Sequence, residues 1–109
     1  MKRGDLVVVA MPGDYGKPRP ALVVQSDLFN DAHASITVAP VSSTISDTPL
    51  FRVVVEPSRQ NGLRLVSQIM VDKVTTVRRQ RLGQTIGRLE EDVMLRVSRA
   101  LALWFGLAA

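Results

Sequence analysis

Asp5-Leu6-Val7-Val8-Val9-Ala10-Met11 is an apolar run rich in β-branched side chains, and it stops at Pro12-Gly13. Valine is restricted in a helix but packs well on a pleated surface, so the run reads as a buried strand. The loop that follows, Pro12 to Pro18, holds two glycines and two prolines. Beyond it, Arg19 to Gln25 (RPALVVQ) reads as a second strand, which Pro20 restricts to an edge or a strand start because it cannot donate to a ladder. Asp27 to Ala32 suits one helical turn, and Ser35 to Val41 (SITVAPV) a third strand. Ser42 to Pro49 is a polar loop, and Phe51 to Val55 a fourth strand ended by Glu56-Pro57-Ser58 and the turn residues Asn61-Gly62. Leu63 to Val71, Lys73 to Val77 and Gly83 to Leu89 complete the strands, a succession that suggests a small barrel.

A single helix closes the chain. Glu90-Glu91-Asp92 places acids in a first turn, where they complement the helix dipole. Val93, Val97, Leu101 and Trp104 recur at helical spacing, and Met94 and Phe105 widen the apolar face. The pattern predicts one α+β domain over residues 1–109, mainly β, with no repeat or linker. A core this small gains stability from a second copy, which makes a homodimer plausible.

Composition narrows the chemistry. With no cysteine there are no disulfides, thiolate metal sites or cysteine nucleophiles, and an intracellular, cytoplasmic address fits. The Leu6–Met11 run is too short for a signal-peptide core, and Ala100 to Ala109 is about half the length that spans a bilayer, so no membrane insertion is expected. The formal charge is +4. Between Lys73 and Arg88 lie Lys73, Arg78, Arg79, Arg81 and Arg88 and no acid, a block able to steer a polyanion or equally to be solvated surface. There is one histidine, His33, and no phosphate-binding loop, zinc-protease or nucleophile-elbow motif; no metal or cofactor is expected.

What remains is basic and hydroxyl residues at loop–strand junctions: Lys17 and Arg19, then Ser42, Ser43 and Thr44, then Arg64, Ser67 and Gln68. If their loops converge they form one positive, hydroxyl-lined groove. If not, Arg19 covers the rim and the serines satisfy turn backbone.

The order Arg3-Gly4-Asp5-Leu6-Val7, Lys17-Pro18-Arg19-Pro20-Ala21-Leu22-Val23-Val24-Gln25 and Val38-Ala39-Pro40-Val41-Ser42-Ser43-Thr44 resembles the MazF/PemK toxins. The likeness continues through Asn61-Gly62-Leu63-Arg64, Ser67-Gln68 and Arg79-Gln80-Arg81-Leu82-Gly83 to the final helix, nearly the whole chain. It implies the fold shared by MazF, PemK and CcdB, an SH3-like barrel with a C-terminal helix, assembled as a homodimer. It also implies a toxin that cuts single-stranded RNA without a metal, the ribose 2′-OH attacking the adjacent phosphate to leave a 2′,3′-cyclic phosphate and a 5′-OH, and that is held inactive by a cognate acidic antitoxin. RNA brings its own nucleophile, so donors to the developing charge suffice.

By position the resemblance makes Arg19 the catalytic arginine and Ser42 the hydroxyl that orients the phosphate, with Ser43 or Thr44 taking that place if the register shifts by one or two; Lys17, Ser43, Thr44, Arg64, Ser67 and Gln68 are the candidates for binding RNA. Many PemK-like members carry an aspartate before the glutamine, and Ser67 stands there in this chain. The alternative is a CcdB-like protein that binds DNA gyrase and cuts nothing, since Leu103-Trp104-Phe105-Gly106-Leu107 is similar to the CcdB terminus; the tryptophan also reads as a core or interface anchor. A non-catalytic dimeric module that binds nucleic acid through the Lys73–Arg88 block is a third reading.

Overall fold

A computed structural model describes residues 1–11 and 17–109, and the expected Pro12-Gly13 turn lies outside them. The described residues form strands β1 (Asp5–Ala10), β2 (Pro18–Val23), β3 (Ser35–Ser42), β4 (Arg52–Val55), β5 (Ser67–Met70), β6 (Thr75–Arg78) and β7 (Leu82–Arg88), with helices α1 (Asp27–Asn30) and α2 (Glu91–Trp104). The sheet runs β4-β5-β3-β2-β1-β7, and β6 pairs with the other end of β3. Every pairing is antiparallel. The mainly β class with a C-terminal helix is as expected, but the outer strands β4 and β7 do not pair with each other, so the sheet curls without closing.

The valine run of β1 is apolar on both sides because the central strands are covered on both. Successive side chains on a strand point to opposite faces. Leu6, Leu22, Ala39 and Val41 belong to one buried cluster, with Val53, Val55 and Ile69 and with Val93, Val97 and Ala100 of α2. Val7, Val9, Ala21, Val23, Ile36 and Val38 fill a second, with Val77 and the partly buried Leu82. Pro20 is compatible with its central strand because β2 meets β3 only from Ala21 onward.

Arg3 holds this sheet to α2, while Gly4 and Asp5 tie the start of β1 to the end of β7. The Arg3 guanidinium donates to the Val24 carbonyl (3.0 Å) and to Ser98 Oγ (2.9 Å). Gly4 sits at φ 98°, a conformation that favours glycine, and Asp5 accepts from Arg88 at 3.0 Å. At the other end, Gly106 (φ 73°) terminates α2: its N–H donates to Leu103 O (3.1 Å) and that of Leu107 to Ala102 O (2.8 Å), a Schellman closure. Trp104 lies against Phe51 with ring centroids 5.6 Å apart, anchoring the helix end to the sheet. Phe105, expected on the apolar face, turns outward, and Ala100 is buried there instead.

One strand is shorter than expected. Leu63 to Val66 is not part of β5, because its backbone groups bond side chains: Leu63 N–H donates to Asn61 Oδ1 (3.0 Å), and Leu65 O accepts from Ser67 Oγ (2.9 Å). Leu65 is consequently 63% exposed.

Candidate functional site

Arg19 is the second residue of β2, exposed, opposite Val9 of β1. The β2–β3 pairing stops at Ala21 and Pro40, and beyond it Arg19 and Ser42 line the same cavities. Ser42 ends β3, in register with Gln68 of β5. Its Oγ accepts the Thr44 N–H at 3.1 Å, which turns the chain outward and leaves the hydroxyl proton to donate elsewhere.

Facing this wall is the segment after Asn61. Asn61 is fully buried: its Oδ1 accepts from Ser58 N and Leu63 N (both 3.0 Å), and its Nδ2 donates to Glu56 O (2.9 Å) and Glu90 Oε1 (3.1 Å). Glu90 also accepts from Ser58 Oγ at 2.6 Å, and that bond above all holds its carboxyl below the usual range. The loop is pressed onto β7, where a Cβ on Gly87 would lie 2.4 Å from the Asn61 backbone. So fixed, it presents Arg64 and Leu65 toward Arg19.

Between the two walls lies a cavity of about 410 Å³, lined by Arg19, Ser42, Ser43 and Thr44 on one side and Arg64, Leu65 and Ser67 on the other, over Val41, Leu63 and Ile86. A neighbouring cavity of about 590 Å³ shares Arg19, Val41, Ser42 and Thr44 as a common ridge and extends to Met11, Arg52, Met70, Lys73 and Thr75. Among the described residues no carboxylate lines either. At the border of the second, Arg52 grips Asp72 with two bonds, 2.9 and 3.0 Å, and keeps that carboxyl below its ordinary range.

Six of the eight residues singled out in the sequence thus meet: Arg19, Ser42, Ser43, Thr44, Arg64 and Ser67. Lys17 is exposed just before β2 and lines neither cavity. Gln68 is 1% exposed and lines neither; its Oε1 accepts from Ser46 N (3.1 Å) and its Nε2 donates to Ser46 O (2.6 Å). It holds the Ser42–Thr48 loop from behind. The basic block is also dispersed: Arg79 donates to the carbonyls of Asn30 and His33, and Arg88 pairs with Asp5. Sequence reading missed Met11, Arg52, Met70 and Thr75, which carry no motif, and Asn61, legible only as a turn residue.

A small curled sheet bearing a cleft of guanidinium and hydroxyl groups has the chemistry to meet a polyanion. Residues 2–105 match the family described as the PemK-like, MazF-like toxin of type II toxin–antitoxin systems. A Mycolicibacterium smegmatis protein named "Probable endoribonuclease MazF" is 49% identical over 109 residues, covering 99% of each chain. "Endoribonuclease EndoA" of Bacillus subtilis is 28% identical over 111 residues, covering 98% of this chain and 96% of its own. A solved mycobacterial endoribonuclease in complex with its cognate antitoxin shares the fold, with a TM-score of 0.85 at 23% identity over 100% of this chain and 98% of that one. The chain belongs to the PemK-like, MazF-like toxin family of type II toxin–antitoxin systems.

Proposed function

We propose that this toxin is an endoribonuclease that cuts single-stranded RNA, messenger RNA included, at specific sequences and without a metal, with Arg19 and Ser42 as its catalytic residues. The activity follows from the family and from two relatives, covered nearly end to end, that are named endoribonucleases. The same matches disfavour a gyrase-binding protein of the CcdB kind. The observation that carries the site is the cleft itself, in which cations and hydroxyls from two separate loops face one another.

In the proposed reaction the ribose 2′ oxygen attacks the adjacent phosphorus, its proton passes to solvent, the bond to the 5′ oxygen breaks, and that oxygen takes up a proton. A 2′,3′-cyclic phosphate and a 5′-OH remain. The Arg19 fork suits two non-bridging phosphate oxygens at once, and a guanidinium is a poor proton acceptor, so its role is charge stabilisation. Ser42, whose oxygen already accepts from Thr44, donates its proton to the same phosphate. Arg64 holds the strand on the facing wall, with Ser43, Thr44 and Ser67 lining the path. Lys17 serves as an outlying cation, and Gln68 acts through Ser46.

Cognate antitoxin and a second copy of the chain are the protein partners in this reading. The antitoxin complex of the mycobacterial fold relative supports the first, and the net charge of +4 suits an acidic peptide. No helix among the described residues is long and apolar enough to cross a membrane, in keeping with a cytoplasmic site of action.

The test is incubation with a long single-stranded RNA in EDTA and chemical mapping of the new ends. Cyclic-phosphate 3′ ends and 5′-hydroxyls are expected. Dependence on magnesium, or 5′-phosphate ends, would overturn the mechanism.

A further inference from the structure

The Arg19–Ser42 ridge is the shared edge of two cavities, and only the smaller is absorbed by the proposed reaction. A strand whose phosphate sits on a ridge must send one nucleotide to each side. The larger cavity, about 590 Å³, falls within the roughly 300–1,000 Å³ of small-molecule sites. Met11 and Met70 give it apolar, polarisable walls of the kind that meet an aromatic face. The Thr75 hydroxyl, on β6 opposite Val38, has no hydrogen-bond partner among the described residues. Besides Arg19, two cations border the cavity in different states. Arg52 is committed to Asp72 through two hydrogen bonds, whereas Lys73, although its charge also favours the Asp72 carboxylate, makes no side-chain hydrogen bond or salt bridge among the described residues.

We infer that this cavity is a nucleobase subsite for the residue on one side of the cut linkage, with Thr75 reading an edge of the base and Lys73 holding the flanking phosphate. The inference rests on the placement of the scissile phosphate at Arg19 and Ser42. A stacked base lies on the methionines, a hydroxyl satisfies either a donor or an acceptor on its edge, and an ammonium is a point charge fitted to a phosphate of unfixed orientation. Sequence preference at that one nucleotide would then be set by β6 and the turn before it, independently of the loop that carries Arg64.

Two measurements on the whole protein test this. The first is binding of a 2′-fluoro single-stranded RNA, which lacks the attacking hydroxyl, followed by anisotropy between about 50 and 200 mM salt. Lys73→Ala is expected to flatten the slope of log Kd against log salt by about 0.7, the effect of one lost phosphate contact on a single strand, whereas Arg78→Ala, an equal charge loss on β6 outside both cavities, changes it far less. The second is sequencing of the ends cut from a randomised RNA. Thr75→Val is expected to alter the preference at one nucleotide next to the cut and nowhere else. Equal slopes for Lys73→Ala and Arg78→Ala, or an unchanged preference at every position in Thr75→Val, would overturn the subsite while leaving the cleavage reaction standing. A folded parent that binds the RNA but does not cut it would overturn the reaction, and the salt slopes would still decide the subsite.

Discussion

Gln68 uses both ends of its amide on the backbone of Ser46, and its side chain is almost wholly enclosed. The sequence offers it as a contact to RNA, because a polar residue beside a serine near a loop reads as accessible; burial depends on what other elements lie over it, which no local pattern carries. Its effect on the cleft runs through the loop bearing Ser42, Ser43 and Thr44. Replacing it with leucine removes both bonds to the Ser46 backbone, which is exposed and can turn to water, at a net cost of about 0.5–1.5 kcal/mol per bond. Gln68→Leu is therefore expected to lower the unfolding free energy read from urea titration by about that amount and to reduce cleavage by more than the unfolded fraction explains, the excess appearing in kcat. Parental stability together with parental kcat would show that the loop holds itself. Arg79 teaches the same lesson from the opposite side: it reads as a steering charge, yet its guanidinium caps the carbonyls of Asn30 and His33.

Among elements, the strands were legible wherever an apolar run was bounded by proline, glycine or a polar loop, as β1, β3 and β4 are. Leu63 to Val66 misled because its composition suits a strand while Asn61 and Ser67 bond its backbone first. Two of the carboxylates that knit the elements bear on the walls of the cavities. Asp72 ties the turn after β5 to Arg52 on β4, and Glu90 ties the start of α2 to Ser58 and Asn61. Both pKa values are lowered on folding, from 3.8 and 4.5 respectively. A depressed carboxylate stabilises the fold fully above its unfolded pKa, and that contribution drains away as pH falls through the folded value. Stability should thus hold near neutrality and decline below about pH 4.5. In urea titrations from about pH 6 to 3, Asp72→Asn is expected to show a shallower decline than the parent, and an identical slope would remove Asp72 from the acid response.

The molecule as a whole is a curled sheet with one long helix on it, and its chemistry gathers where β2 and β5 begin and β3 ends, beside the loop after Asn61. The fold class was readable because two-sided apolar strands and one amphipathic helix permit few arrangements. Closure of the barrel was not, since whether outer strands meet depends on accumulated curvature rather than on either strand's residues. Convergence of the cleft was likewise open in the sequence: Arg19 and Ser42 line one cavity from the start of β2 and the end of β3, and Arg64 joins them because a buried Asn61 and the close approach at Gly62 and Gly87 press its loop onto β7. Charge concentrated on Arg19 is the physical centre of the proposed reaction. The most direct test is the single-turnover rate on a defined single-stranded RNA for Arg19→Ala, with the fold verified by melting temperature and circular dichroism. A fall of about 10²–10³-fold is expected for loss of a donor aimed at developing negative charge, and a folded variant cutting at the parental rate would contradict it.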